Sequence, residues 1–588
     1  MIIKNNISIL TILFIGISFN VAAQRDTVIT QEVEVVKTYN PTIANANKIN
    51  DMPVINEGEQ QKPTFNYSIY SQPVYNNLSV NTIKAATLAP QPIESNGFGL
   101  VRAGFGNYNR PYGELFLNSR NIKNTIFGLH GRHLSSSGKL ELEGGDKVKA
   151  PFSESEANIY VKHLYRQSIL SFDLNFGHNS FNYYGYPIEP VPSILKDETQ
   201  NINYFGTKQS FTKGGININL KNENASRNDP AFDFNFIYQY FGTKTNQREH
   251  FGEFTADINN PLNKGAVALN LGVTYVLTDY DLDGIVRRQQ TWLTAKPAYY
   301  IGNETANIKA GFNLWYVADK DAKNKMRIAP NIRANFAPIK EIINIYAGVD
   351  GNYINNHYSK IAYENPFVNP EHDVINTFEK LHFYGGIDGK FAPKTNYKIS
   401  ADYSKINDKP LFFLLKYASP LSSLGPIIYN DFQILYDDLD LLKFNAEIFH
   451  AASRRLDLLI SGNYFVYKMK TQEHAWNLPD WEGKISLGYK ITEQLSVTAD
   501  VFLIGPRKAL IIGLPNLSSS SLSSLLPTEQ NTYNLDTVFD LNFSASYKIT
   551  KKFSAFAQLN NLGFQKYEIW FGYPVQSFNF LGGISYSF

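Results

Sequence analysis

Few residues in this chain are spaced for chemistry. The run Asp279-Tyr-Asp-Leu-Asp-Gly284 sets carboxylates at alternate positions ahead of a glycine, as in the first half of a calcium loop. The twelfth position of such a loop is a bidentate glutamate, and here it is Gln290, so the run reads as a solvated acidic loop. The ten histidines are scattered, none forms an H-x-x-x-H pair, and the chain has no cysteine to complete a metal site. Ser-rich Leu517–Leu525 has no G-x-S-x-G frame, and no phosphate-cradling or dinucleotide-binding glycine loop occurs. The expectation is a chain with no catalytic site, no cofactor and no metal. A balance of 55 basic against 53 acidic residues, net +2, also argues against a nucleic-acid partner.

Two stretches could act through the backbone instead. Thr27–Lys37, which contains Val33, Glu34, Val35 and Val36, reads as an extended strand. The tail Phe578–Phe588 alternates strictly, with Phe580, Gly582, Ile584, Tyr586 and Phe588 on one face. Leu581, Gly583, Ser585 and Ser587 lie on the other. A strand that closes a membrane barrel has this form: an apolar face for lipid and an aromatic end at the interface.

The elements that hold these stretches repeat the pattern. Charged residues make up only 18% of the chain while it carries 37 Tyr and 41 Phe, a mixture suited to strands with one apolar and one polar face. Val267, Leu269, Leu271, Val273 and Tyr275 share a face, opposite Ala268, Asn270, Gly272 and Thr274. Phe232-Asp-Phe-Asn-Phe236 and Leu541-Asn-Phe-Ser-Ala-Ser-Tyr547 do the same. Lys398 and Asp402 put full charges on the polar face, which a wet lumen tolerates and a dry core does not. A backbone crossing lipid must satisfy all its hydrogen bonds internally, so such a sheet has to close.

Short polar turns, such as Arg166–Gln167, Gly302–Glu304, Pro393–Thr395 and Thr492–Gln494, alternate with longer stretches such as Gly185–Asn201, Tyr358–Asn376 and Gly505–Asn531. Bacterial barrels are built this way, with the long loops outside the cell, and walking the alternation predicts about 22 strands. Asp408–Asp438 is expected to be one large outer loop. Trp315-Tyr316, Tyr299-Tyr300, Phe465 with Tyr467, and Trp570-Phe571 are expected in the two interface girdles. Trp476, Trp481 and Tyr183-Tyr184 are the alternative candidates for a binding mouth.

Lys4, the apolar run Ile7–Phe19 and the small residues Val21-Ala22-Ala23 read as a secretory signal over 1–23. Residues 24–95 read as an extended segment interrupted by Pro41, Pro53, Pro63, Pro73, Pro90 and Pro92. Residues 96–588 read as the all-β, transmembrane antiparallel barrel. The expected location is the cell outer membrane, in contact with its lipids. Leu581, Gly583, Tyr586 and Phe588 then read as the signal by which barrel-assembly machinery takes up the chain through strand addition.

The end of the chain resembles that of TonB-dependent receptors, in Asn561-Leu562, Tyr567, Gly572-Tyr573-Pro574 and the final Phe588. The abundance of Asn, Lys, Tyr and Phe is similar to barrels from Bacteroidetes. The resemblance implies a 22-stranded barrel, binding or passage of a nutrient, and TonB as a partner, with Val33–Val36 as a TonB-box-like segment. Members of that family carry a plug domain inside the barrel. Gln24–Ser95 is too short for one and lacks its glycine-rich strands, so the expectation is a missing or vestigial plug. The alternative function is a plug-less scaffold subunit of an outer-membrane complex, its leader pairing with a surface or periplasmic lipoprotein.

Overall fold

Alternation on the page becomes a hydrogen-bonded ladder in space. The computed structural model describes residues 98–588 apart from 120–123, 143–144, 146, 186–207, 223–228, 282–284, 321, 371–373, 418–426 and 515–528. The secretory signal, the 24–95 segment with Val33–Val36, and the Leu517–Leu525 stretch lie outside the described residues.

Among those residues, 22 antiparallel strands form a closed ring. Each strand from Gly99–Gly106 onward pairs with the next, and the last, Asn579–Ser587, returns to the first in a register running from Leu100↔Ser587 to Gly106↔Leu581. The backbone satisfies itself within the ring and leaves no edge for lipid.

The two faces behave as their periodicity requires. On Gly265–Asp281 the side chains of Val267, Leu271, Val273 and Tyr275 point outward and are exposed, Val273 at 46%. An exposed apolar face of this length is stable only against lipid. The inner face is a polar ladder: Asn270 donates to Asp257 at 2.7 Å, and Thr274 to Glu253 at 3.0 Å. Further round, Asn335 donates to Asn307 at 2.8 Å, and the Arg333 guanidinium lies 4.8 Å from the Tyr346 ring centre. Asp402, expected to face a wet lumen, accepts from His382 at 3.3 Å, while Asp350 meets the other ring nitrogen at 2.9 Å.

At one end of the ring the connections are tight. Gly265 and Gly302 close two of these turns with φ of 135° and 123°; a Cβ on Gly265 would lie 2.1 Å from the Tyr300 carbonyl oxygen, so only glycine fits there. The connections that hold Tyr358–Glu364 and Glu568–Pro574 leave the opposite end, where the hairpin of Thr395–Tyr417 and Ile427–Ala451 also closes.

Two of the expected loops are strands. Thr395–Tyr417 and Ile427–Ala451 form one tall hairpin. Pairing to the strands on either side ends at Asn407↔Phe378 and Leu439↔Met469, so residues 408–417 and 427–438 rise above the rest of the ring. Within Gly505–Asn531, Arg507–Leu514 is a strand paired with Glu529–Leu535, and it also runs parallel to Leu414–Tyr417. Tyr358–Asn376 contains a short helix, Tyr358–Glu364.

The loop-sealed mouth and its cavity

The loops at the long end pack against one another. Their core joins Phe211 and Phe241 from strand ends, Tyr358, Ile361 and Ala362 from the helix, and Val368. Phe412, Leu414 and Phe432 come from the tall hairpin, Ala509 and Ile511 from the parallel strand, and Phe571 and Tyr573 from the last loop. Tyr573, 2% exposed, is the hub: it stacks on Phe367 at 3.7 Å, meets Tyr184 edge-on at 5.1 Å and donates its hydroxyl to the Asn430 carbonyl.

Polar groups tie the same loops together. Arg507 donates to the carbonyls of Glu568 and Ile569, and Tyr184 to that of Pro574 at 2.9 Å. Asp437 accepts from the Thr471 and Gln472 amides at 3.0 and 2.8 Å, anchoring the 470–480 loop. Glu249, 1% exposed, lies beyond the outward row of Tyr238 and Tyr275 and accepts from Ser359 at 2.6 Å with His357 at 2.7 Å. Burial alone would raise its carboxyl, but His357 and Ser359 hold it below the usual carboxylate range.

Asp431 is the exception. It stands on the projecting part of the tall hairpin, 3% exposed, and accepts from the side-chain amides of Asn369 (2.7 Å) and Gln433 (3.2 Å) and from its own backbone amide. Burial pushes its carboxyl up to about 6, against the donated Asn369 bond. The folded loops therefore hold a proton that the unfolded chain releases near pH 4. This group's contribution is most favourable below about pH 4, falls as pH rises through 6 and is level above, a span of about 3 kcal/mol. Asp431→Asn is expected to slow hydrogen exchange of 429–436 at pH 7.5 and to flatten its pH dependence between 4 and 6. An unchanged profile would refute this.

Behind the seal, on the inner face, is a cavity of about 390 Å³. Arg110, Arg132, Glu154, Lys213, Asp540 and Asn579 line it from the strands, Tyr363 and Phe367 from the helix loop, and Tyr567, Trp570 and Tyr573 from the last loop. Among the described residues no three metal-binding side chains converge.

The sequence candidates are divided between these features. Tyr183 is buried, and Tyr184 packs against the loop core at the long-loop end. Trp476 is buried beneath the tall hairpin with Leu411 and Leu510. Of the residues expected in the girdles, Tyr316 and Tyr299 face out, but Trp315 is buried inside against Tyr353. Phe465 and Tyr467 stack on each other at 5.9 Å on the face opposite the outward Tyr464 and Val466. Trp570 and Phe571 join the loop core. Consecutive residues of a strand cannot both face lipid.

Asp279, from the calcium-like run, pairs with Arg287 at 2.9 Å across a hairpin, and Gln290 donates to Asp319 at 2.7 Å; Leu282–Gly284 lie outside the described residues. In the closing strand Leu581 is buried inside with Tyr112, Leu134 and Phe556. Gly583 has no room for a Cβ, which would lie 2.3 Å from the Ala103 carbonyl oxygen. Tyr586 stacks between Phe553 (4.6 Å) and Phe588 (5.6 Å).

No family model matches the chain and no curated protein matches it significantly. Solved structures do. The iron transporter FrpB from Neisseria meningitidis superposes with a TM-score of 0.62 at 9% identity, over 84% of this chain and 82% of that one. The pyoverdine receptor FpvA from Pseudomonas aeruginosa gives 0.61 at 9%, over 85% and 79%. The copper transporter OprC gives 0.60 at 12%, over 85% and 82%. Its fold is that of a TonB-dependent outer-membrane receptor. The barrel is an outer-membrane protein, and its sealed mouth lies at the end from which the tall hairpin rises. The neighbours are receptors and transporters, not enzymes.

Proposed function

We propose that the receptor-type barrel binds a small solute at its extracellular end and passes it into the lumen. What supports this above all is the cavity: a space of about 390 Å³, within the range of small-molecule sites, on the inner face beneath loops drawn from distant parts of the chain. FrpB and OprC are described as iron and copper transporters and FpvA as a pyoverdine receptor, which agrees with uptake in kind and leaves the solute of this chain to its own residues. Residues 24–95 are the element proposed to fill or gate the lumen. Val33–Val36 are proposed to pair with the sheet edge of TonB, and Leu581, Gly583, Tyr586 and Phe588 to be read by the assembly machinery.

Deleting residues 24–95 is expected to raise the conductance of the purified barrel in planar bilayers. Unchanged conductance together with no solute binding would overturn the proposal. A second reading, the plug-less scaffold with a lipoprotein partner, draws support from the apolar loop core that seals the mouth. Stoichiometric partners in a mild-detergent purification would favour it, and a clean monomer would count against it.

A further inference from the structure

We propose that the inner-face cavity is a site for a small carboxylate with a flat apolar or aromatic body. The ligand class presupposes that the barrel binds solutes, and it follows from how the charges in the cavity are partnered. Three cations and three carboxylates line it, but not in matched pairs. Glu154 accepts from Arg132 at 3.0 Å, and Asp540 accepts the Tyr567 hydroxyl at 2.9 Å.

Arg110 has no carboxylate at ion-pair distance among the described residues. It is 2% exposed, one terminal nitrogen donates to the neutral Asn579 side chain, and its Nε is buried with no acceptor. Lys213 rests on aromatic faces, 4.9 Å from the Tyr363 ring centre and 6.0 Å from that of Phe241. Glu154, already bonded to Arg132, is the carboxylate nearest in effect to Arg110, and Glu156 is the one that acts on Lys213, neither at ion-pair distance from that cation among the described residues.

A buried guanidinium with an unused donor is costly to leave so, and its fork matches a carboxylate with two parallel bonds. The walls around it are ring faces: Phe152, whose centre is 5.8 Å from the Arg110 guanidinium, with Tyr184 and Trp570 at the roof. Flat walls and one cationic end select a planar organic anion. The volume, at the low end of the ~300–1,000 Å³ of small-molecule sites, admits one or two fused rings and excludes a large chelate.

The test uses the full-length protein in detergent, with 2-naphthoate and its neutral amide, 2-naphthamide, as probes and tryptophan fluorescence as readout. Naphthoate is expected to bind at least about tenfold tighter than the amide, a preference that Arg110→Gln abolishes. Heat-modifiable migration on gels reports whether each variant is folded. If Arg110→Gln does not fold, Lys213→Met decides: it is expected to weaken naphthoate and leave the amide unchanged. Equal affinities for acid and amide, or folded variants that keep the preference, would overturn the proposal. Failure here with raised conductance after leader deletion would remove the ligand class and leave solute passage standing. Naphthoate binding with unchanged conductance would leave the site standing without the passage.

Discussion

Removing Phe588 is expected to cost the cell most of its folded barrel. The residue completes the seam between the last strand and the first: its amide donates to the Gly99 carbonyl and the Gly99 amide to its own, both at 3.0 Å. Its ring stands edge-on to Phe98 at 5.0 Å and covers Gly99, where a Cβ would lie 2.4 Å from the ring. The two ladder bonds at about 1 kcal/mol each and the ring contact at about 1 kcal/mol hold the seam by roughly 3 kcal/mol, on the order of a hundredfold in the closed-to-open ratio.

The seam has little else to spare. Beyond the Gly99–Phe588 bonds, its ladder runs through seven pairs from Leu100↔Ser587 to Gly106↔Leu581, of which Gly104↔Gly583 contributes no side chain. Outer-membrane fractions of a Phe588 deletion, assayed by heat-modifiable migration, are therefore expected to contain at most about a tenth of the folded wild-type amount. Phe588→Tyr is expected to preserve it. A truncated chain that accumulates normally would show that the closing residue is dispensable to insertion.

The barrel was legible because lipid enforces the pattern. Wherever one face meets hydrocarbon and the other meets water, alternation is obligatory, and the strand at Gly265–Asp281 or Asn579–Ser587 can be read directly. The tall hairpin lost that signal above Asn407 and Leu439, where both faces leave the membrane and Leu411, Phe412 and Phe413 follow one another. Arg507–Leu514 was hidden for the same reason: Ala509, Leu510 and Ile511 are all buried because protein covers both faces. Adjacent aromatics such as Trp315-Tyr316 were over-read as a pair, since composition shows the girdle and only the period shows which ring turns inward.

The cavity was legible only in its aromatics: Tyr184 and Trp570 stand out in the sequence, but Arg110 and Lys213 are brought beside them by ring closure, and nothing in their local sequence marks those two. A buried cation is visible only after its neighbours are known.

Tyr573→Ala is expected to open the mouth and leave the wall intact. The ring is 2% exposed and fills the space between Phe367, Tyr184 and Phe432, three side chains from different loops. Truncating a buried aromatic costs roughly 3–5 kcal/mol, and here the loss falls on the contacts that join the loops. The 22-strand ring carries its own hydrogen bonds and does not depend on them. Amides of Tyr358–Glu364 and 429–436 should therefore exchange faster by about two to four orders of magnitude, which is what ~3–5 kcal/mol of local stability is worth. Those of Gly265–Asp281 should keep their wild-type protection. Tyr573→Phe separates the ring from the hydroxyl: it keeps the stack on Phe367 and loses the bond donated to the Asn430 carbonyl and the one accepted from the Gly185 amide, so its effect should be the smaller. If the loops of the alanine variant stay as protected as the wall, the seal does not depend on this tyrosine. If wall and loops loosen together, the mouth is continuous with the barrel and does not open as a separate unit.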